Sequence, residues 1–238
     1  RKVWVEYEAI GVAGILSPWN YPMILTISPM VEALLAGNTV VLKPSEHTPL
    51  TTKLLKTVWD ESTDKPELFQ PVYGADTIGK ALVTSSDTDI ICFTGSTVVG
   101  RKIAEICAHG FKPVILELGG KDPMIICEDA DVNRAVNAAV WGGMSNAGQT
   151  CISVERIFVH EKIKDQFVEQ ISAKIKNLTA GNSKNSLVGS ISVEAGLEKI
   201  KSHVENSNEN IEIIQGKTVD TEGFYYPPTV VVNPDLNG

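Results

Sequence analysis

The stretch DIICFTGSTVVGRKIAEICAHG, residues 89–110, opens on the apolar run Ile90, Ile91, Cys92 and Phe93, crosses a turn of glycine and hydroxyl residues, and continues with Val99, Ile103 and Ile106. The last three recur at the spacing of one helix face, whereas the opening run has the length of a buried strand. A short buried strand, a Gly/Ser turn and a helix make up the repeating unit of an α/β fold with a parallel sheet.

The same rhythm runs outward in both directions. GVAGILSPWN (11–20) predicts a strand ending in a turn, and TISPMVEALLAG (26–37) a helix closed by Gly37 at its C-terminal cap. NTVVLKPSE (38–46) is the next strand and its loop. Residues 48–62 follow as a helix with a capping threonine, a proline in the first turn and an apolar face of Leu50, Leu54, Leu55 and Val58. PVILELGGKDPMIICED (113–129) predicts two strands flanking a Gly-Gly turn. Beyond it come a helix at 131–145, a strand at 154–159, and a charged amphipathic helix at 161–178 with Ile163, Phe167, Ile171 and Ile175 inward. A further helix is expected at 193–207, then a strand at TVVV followed by an open loop, whereas 179–189 is the most linker-like segment.

Composition narrows the chemistry. The 238 residues, 43% hydrophobic, suffice for a sizeable core and one or two domains. The net charge of -8, without a long basic run, gives a phosphate-tracking surface little support, so nucleic acid is not expected as a partner. No apolar stretch reaches the roughly 18–20 residues that span a bilayer, and RKVWVEYEAIG lacks the apolar core of a signal peptide. The expectation is a soluble, cytoplasmic protein without a membrane partner. Cys92, Cys107, Cys127 and Cys151 form no CxxC pair, which fits a reducing compartment, and no metal site is expected.

Four places carry residues suited to chemistry. In FTGSTVVG (93–100), Gly95 and Ser96 lie where a strand hands over to a helix, and backbone N–H groups with the positive helix end suit a phosphate there. The glycines at 95 and 100 do not match GxGxxG, and an ordinary helix start explains the turn equally. LKPSE (42–46) sets Lys43 and Glu46 just beyond a strand's C-terminal end, where open α/β sheets bind ligands; a ribose diol or phosphate competes with a plain solvated loop. Glu117 in ELGG ends a strand beside two glycines. A poorly solvated carboxylate there has its proton affinity raised and suits a general base, but an ordinary surface or salt-bridged glutamate fits the same pattern.

The cysteines divide by context. Cys92 and Cys127 sit inside aliphatic runs and read as buried apolar filler. Cys151 follows the polar turn SNAGQT, so its sulfur either faces a cleft as a nucleophile or packs as filler; none of the four histidines stands in a recognisable catalytic context.

Taken in order, PWN (18–20), KPSE (43–46), FTGSTVVG, ELGGK (117–121) and NAGQTC (146–151) together closely resemble the aldehyde dehydrogenase superfamily, over essentially the whole chain. The resemblance implies a Rossmann-like cofactor-binding sheet over residues 1–119 and a second α/β catalytic domain over 120–238, both partial. It implies NAD(P)-dependent oxidation of an aldehyde to an acid. Cys151 matches the nucleophile that forms a thiohemiacetal and then a thioester, Asn20 the amide that stabilises the oxyanion, and Glu117 the base that activates water. Lys43 and Glu46 match contacts to the adenosine ribose, with Ser45 beside them in the same motif. Gly95 and Ser96 match the pyrophosphate contact, and Trp19 and Leu118 cofactor-lining positions. Glu46 favours NAD over NADP, because a carboxylate accepts from a ribose diol and repels a 2′-phosphate.

By the same resemblance the substrate is a small aldehyde. Residues 25–30, next to the expected channel, contain no Arg or Lys, which favours a neutral one. Full-length members form homo-oligomers and are longer, continuing into an EExFGP motif, so this chain is expected to be the central portion, a fragment or a natural truncation. Val98 stands where many members carry Glu. A reading from another class also remains, a shortened homologue serving as a binding or assembly module with residual esterase activity.

Overall fold

The computed structural model describes residues 2–206, 211–219 and 222–233. The chain divides into two compact units, Arg1–Gly119 and Gly120–Gly238.

The first unit alternates strand and helix: β1 (Val12–Leu16), α1 (Ile24–Leu35), β2 (Thr39–Lys43), α2 (Pro49–Ser62), β3 (Phe69–Pro71), α3 (Asp76–Thr84), β4 (Ile90–Gly95), α4 (Thr97–His109) and β5 (Val114–Leu118). Its five strands form one parallel sheet in the order β3-β2-β1-β4-β5. Alternate side chains on a strand point to opposite faces, and a parallel sheet needs both faces covered. On one face Ala13, Ile15, Val40, Leu42 and Phe69 pack with Met30 of α1 and with Leu55 and Trp59 of α2. On the other, Leu16, Ile91 and Phe93 pack with Leu82 and Val83 of α3 and with Ile103 and Cys107 of α4. Helices on both faces with this strand order make a doubly wound, Rossmann-type sheet.

Local details differ from the sequence pattern in instructive ways. In α2, Leu50, Leu54 and Val58 are exposed, whereas Thr52, Leu55 and Trp59 turn inward. Trp59 decides the face, because its ring meets Phe69 edge-on at 6.2 Å and 86°, a packing no smaller side chain on the other stripe supplies. In α4, Ile103 and Ile106 pack inward but Val99 is largely exposed. At the end of α1 the cap is Ala36, and Gly37 follows with φ +88. The Gly37 N–H donates to the Leu34 carbonyl and the Asn38 N–H to that of Ala33, closing the helix by the paired bonds of a Schellman motif, for which the left-handed glycine is suited. β3 and α3 had no expectation. β3 is only three residues long, too short for period counting to register.

The second unit contains β6 (Asp122–Ile126), α5 (Val132–Met144), β7 (Val154–Val159), α6 (Glu161–Asn177), β8 (Thr179–Ala180), α7 (Glu194–Glu205), β9 (Glu212–Gln215), β10 (Lys217–Thr218) and β11 (Thr229–Val232). β6 and β7 pair in parallel, as do β8 and β10, whereas β9 and β11 are antiparallel. Ile126, Val136, Phe167, Ile171, Ile175 and Ile214 form its core, with Ile163 packed at the margin. Two helix starts are capped by side chains: Asp131 accepts from the Arg134 N–H at 3.0 Å, and His160 Nδ1 from the Lys162 N–H at 3.3 Å. The segment 179–189 is not a bare linker: its first two residues form β8, Ala180 is buried, and Val188 bridges back to it. Of the loop expected after TVVV, residues 234–238 lie outside the described residues. No helix among the described residues is long and apolar enough to cross a membrane.

Candidate active site

The order β3-β2-β1-β4-β5 reverses the direction of winding between β1 and β4. In such sheets ligands bind outside the carboxyl ends of the strands at that reversal. The first-unit ligand and catalytic candidates Asn20, Lys43, Glu46, Ser96 and Glu117 lie at or just beyond the carboxyl ends of β1, β2, β4 and β5. The ladder continues one residue past β1, where the Ser17 N–H donates to the Lys43 carbonyl at 3.1 Å. The Thr26 hydroxyl then donates to Ser17 Oγ at 2.8 Å, buried, fixing the start of the loop against α1. That loop carries Trp19 and Asn20, both half-buried.

At the end of β2, Lys43 is buried and its ammonium donates to Glu46 at 2.9 Å, while the Glu46 carboxylate remains partly exposed. The bond from Lys43 is the first cause holding the Glu46 carboxyl below its ordinary range, helped by a backbone hydrogen bond and opposed by partial burial. Ser45 is buried and accepts from the His47 N–H at 3.3 Å, which tightens the turn around Glu46. A buried cation beside a carboxylate that still reaches solvent can bind hydroxyl groups from two sides.

At the end of β4, Gly95 leads into Ser96, the exposed N-cap of α4, whose hydroxyl accepts from the Val99 N–H at 3.3 Å. The helix therefore presents its positive end at this edge. One turn in, Gly100 is buried, and a Cβ there would fall 2.5 Å from Leu118 Cδ2; the glycine lets α4 approach β5 closely. Leu118 itself packs into the core beside α3 and α4. Glu117, one residue earlier, is exposed. Of the two settings open to it, the structure gives the exposed one, because alternate residues of β5 face outward on this edge strand. Cys92, half-buried, has its thiol pushed up by burial and, further, by the negative charges of Glu117 and Glu32.

In the second unit, Cys151 is exposed and free at the end of an unusual turn. Residues Ser145–Gly148 leave α5, and within them Asn146 (φ 51, ψ 35) and Ala147 (φ 57, ψ 33) are left-handed, followed by Gly148 at φ 75. Left-handed backbone at a non-glycine residue costs on the order of 1–2 kcal/mol and tends to mark functional turns. The turn is tied down by the Thr150 N–H to the Gly148 carbonyl, the Ser153 N–H to the Thr150 carbonyl, and the fully buried Ser153 hydroxyl to the Gly142 carbonyl. Cys127 departs from expectation. It is exposed, because it lies one residue past the buried Ile126, where β6 has ended. Among the described residues no His, Cys, Asp and Glu side chains cluster as a metal ligand set.

A residue that sequence reasoning missed also belongs to this turn. The Gln149 amide nitrogen donates to the carbonyls of Asn146 at 2.9 Å and Ser190 at 3.3 Å, and its oxygen accepts from the Ser192 N–H at 2.9 Å. Its place two residues before the cysteine was the signal available. The partner segment forty residues on could not be read from sequence.

Comparison with known proteins shows the family. The aldehyde dehydrogenase family model matches residues 1–237. The mitochondrial benzaldehyde dehydrogenase of Antirrhinum majus is 40% identical over 236 residues, covering 97% of this chain and 44% of that protein. A probable NADP(+) succinate-semialdehyde dehydrogenase of Sinorhizobium fredii is 34% identical, covering 98% and 49%. Among solved structures, an NAD+ complex of aldehyde dehydrogenase from Bacillus cereus superposes with a TM-score of 0.91 at 35% identity, covering 95% of this chain and 47% of that one. An E. coli NADP-dependent enzyme gives 0.92 at 31% identity, covering 97% and 49%. The chain thus spans about half the length of the relatives it matches. By the family model, by these identities and by its doubly wound sheet, the chain belongs to the aldehyde dehydrogenase family.

Proposed function

We propose that this chain serves NAD(P)-dependent oxidation of an aldehyde to a carboxylic acid, with Cys151 as the nucleophile. The observation that carries the reading is the row of Asn20, Lys43, Glu46, Gly95, Ser96 and Glu117 along the carboxyl ends of four parallel strands, at and around the winding reversal. Family membership supports it. So does the exposure of Cys151 on a left-handed turn.

The donor set of the first unit fits a dinucleotide. Lys43 and Glu46 would hold the adenosine ribose, Ser45 would shape their turn, and Gly95 with Ser96 at the start of α4 would take the pyrophosphate. Trp19 and Leu118 would line the remainder. When bound, the nicotinamide supplies the acceptor for the substrate's hydride.

The chain's own residues do the rest. The Cys151 thiolate forms a bond to the carbonyl carbon, and the carbonyl electron pair moves to oxygen. The Asn20 amide and the Cys151 backbone N–H donate to that oxyanion. Once the carbon is oxidised, the acyl group stays on Cys151 as a thioester. Glu117 removes a proton from water, the water oxygen bonds to the acyl carbon, the C–S bond breaks, and the acid leaves with the thiolate restored. Residues 1–119 are thus proposed as the cofactor-binding domain and 120–238 as the catalytic one.

NAD is preferred over NADP because the Glu46 carboxylate, kept ionised by Lys43, accepts from a ribose diol and opposes a 2′-phosphate. A neutral aldehyde is preferred because α1 starts with exposed Met23 and Ile24 and carries no basic side chain. Reduced nicotinamide is expected to accumulate when the chain meets simple aldehydes with NAD, and Cys151→Ala is expected to abolish this. Undiminished turnover in that variant removes Cys151 from the mechanism. No NAD binding at all supports the binding-module reading instead.

A further inference from the structure

We propose that Gln149 is a positioning residue whose amide bolts the left-handed turn carrying Cys151 to the anchored segment 190–192. The inference rests on the reading of Cys151 as nucleophile for its chemical meaning, but its structural half stands independently.

Backbone bonds and Ser153 tie the turn down at its end, but its left-handed residues remain strained. Asn146 and Ala147 occupy a backbone region that residues with a Cβ disfavour, and they persist only where surrounding contacts hold them. Gln149 supplies such contacts from inside the turn. Its Nε2 donates to the Asn146 carbonyl at 2.9 Å, a second bond on the oxygen that already accepts from the Gln149 backbone N–H at 3.1 Å, so the side chain reinforces the closure.

The same amide also reaches outward. Nε2 donates to the Ser190 carbonyl at 3.3 Å, and Oε1 accepts from the Ser192 N–H at 2.9 Å, so both ends of a three-residue segment are gripped. That segment is fixed in turn. Ile191 between them is buried, and its N–H donates to the Phe224 carbonyl at 2.8 Å. The Ser190 hydroxyl donates to the Ile191 carbonyl at 2.8 Å and contacts the Phe224 carbonyl at 3.3 Å.

The chemistry of the amide is specific. Two carbonyl oxygens need two N–H donors and one N–H needs an acceptor, all from one planar group, and among uncharged side chains a carboxamide of this length supplies the set. Glutamate would keep the bond from Ser192 but set carboxylate oxygen against two carbonyls. Asparagine has the right group on a stem one methylene too short. Displacing a reacting atom by about 1 Å can cost about a hundredfold in rate, so a bolt two residues from a nucleophile bears on turnover more than on substrate affinity.

The test compares the unaltered chain with Gln149→Glu and Gln149→Asn. Hydrogen exchange is followed by mass spectrometry over peptides covering residues 145–153 and 188–193, with α6 as an internal reference. Exchange in both segments is expected to rise at least tenfold in each variant while α6 keeps its rate. For aldehyde turnover dependent on Cys151, kcat is expected to fall at least tenfold with KM changed less than threefold. Parent-like exchange in both variants overturns the bolt. Faster exchange with unchanged kcat overturns its bearing on chemistry. Turnover that survives Cys151→Ala, or none in the unaltered chain, counts against the proposed function, and exchange then still decides the bolt.

Discussion

Cys151 and Cys127 both reach solvent, whereas Cys107 is buried on α4 and burial raises its thiol. Reactivity follows thiolate character and access. Iodoacetamide is therefore expected to label Cys127 and Cys151 first in the folded chain, Cys92 slowly and Cys107 only on unfolding, as read by peptide mass spectrometry; early labelling of Cys107 would contradict this packing. Glu46 offers a second residue-scale handle. Its carboxyl is held below the ordinary range in the folded chain, so the Lys43–Glu46 pair contributes stability above the unfolded carboxylate pKa and loses it as pH falls through the lowered folded value. Because Glu46 is partly exposed, that contribution stays within about 0.2–1 kcal/mol. Removing its charge matters more for cofactor choice. Glu46→Gln is expected to shift the NADP-to-NAD preference toward NADP by about tenfold, equivalent to about 1.4 kcal/mol, in parallel binding titrations. An unchanged ratio would show that Glu46 does not face the 2′ position.

At the scale of elements, most boundaries follow from chemistry that is local in sequence. The inward stripe Phe167, Ile171, Ile175 of α6 was legible because period and burial coincide there. α2 shows the limit. Its sequence contains two apolar stripes, and which one faces the sheet depends on Phe69, which lies on a strand too short to announce itself. Cys127 shows another, since one residue separates a buried strand end from solvent. One element-scale device joins the end of α3 to the approach to β5. The half-buried Lys112 ammonium donates to the carbonyls of Val83 and Ser85 at 2.9 and 2.7 Å and to the Thr88 hydroxyl at 2.7 Å, satisfying carbonyls left open where α3 ends. Lys112→Met, which keeps the apolar stem, is expected to cost about 1.5–3 kcal/mol in denaturant unfolding, the range for hydrogen bonds to a charged group. A loss below the error of the extrapolation would mean that solvent replaces all three bonds.

At the scale of the whole molecule, each unit owns its core: two clusters sandwich the sheet of the first, and one cluster under α5 and α6 serves the second. Phe69 and Phe167, both almost fully buried, are the natural probes. Phe69→Ala and Phe167→Ala are each expected to destabilise by about 3–5 kcal/mol. Hydrogen exchange should rise mainly in β1–β5 for the first variant and mainly in β6, α5 and α6 for the second. Equal acceleration everywhere in both variants would show a single cooperative core instead.

What the amino-acid sequence determined by itself was the alternation of strand and helix, the family resemblance and the identity of the chemical groups, because these depend on short-range period and on side-chain type. Tertiary structure alone decided which candidates share an edge. The order β3-β2-β1-β4-β5 gathers Asn20, Lys43, Glu46, Ser96 and Glu117, scattered over almost a hundred residues, at the carboxyl ends of neighbouring strands. It also exposed Cys127 against expectation, settled the exposure of Glu117, and gave Gln149 its partners at Ser190 and Ser192. The physical reason is range: strand pairing and long hydrogen bonds join residues by the geometry of the folded chain, and no local period in the sequence encodes it.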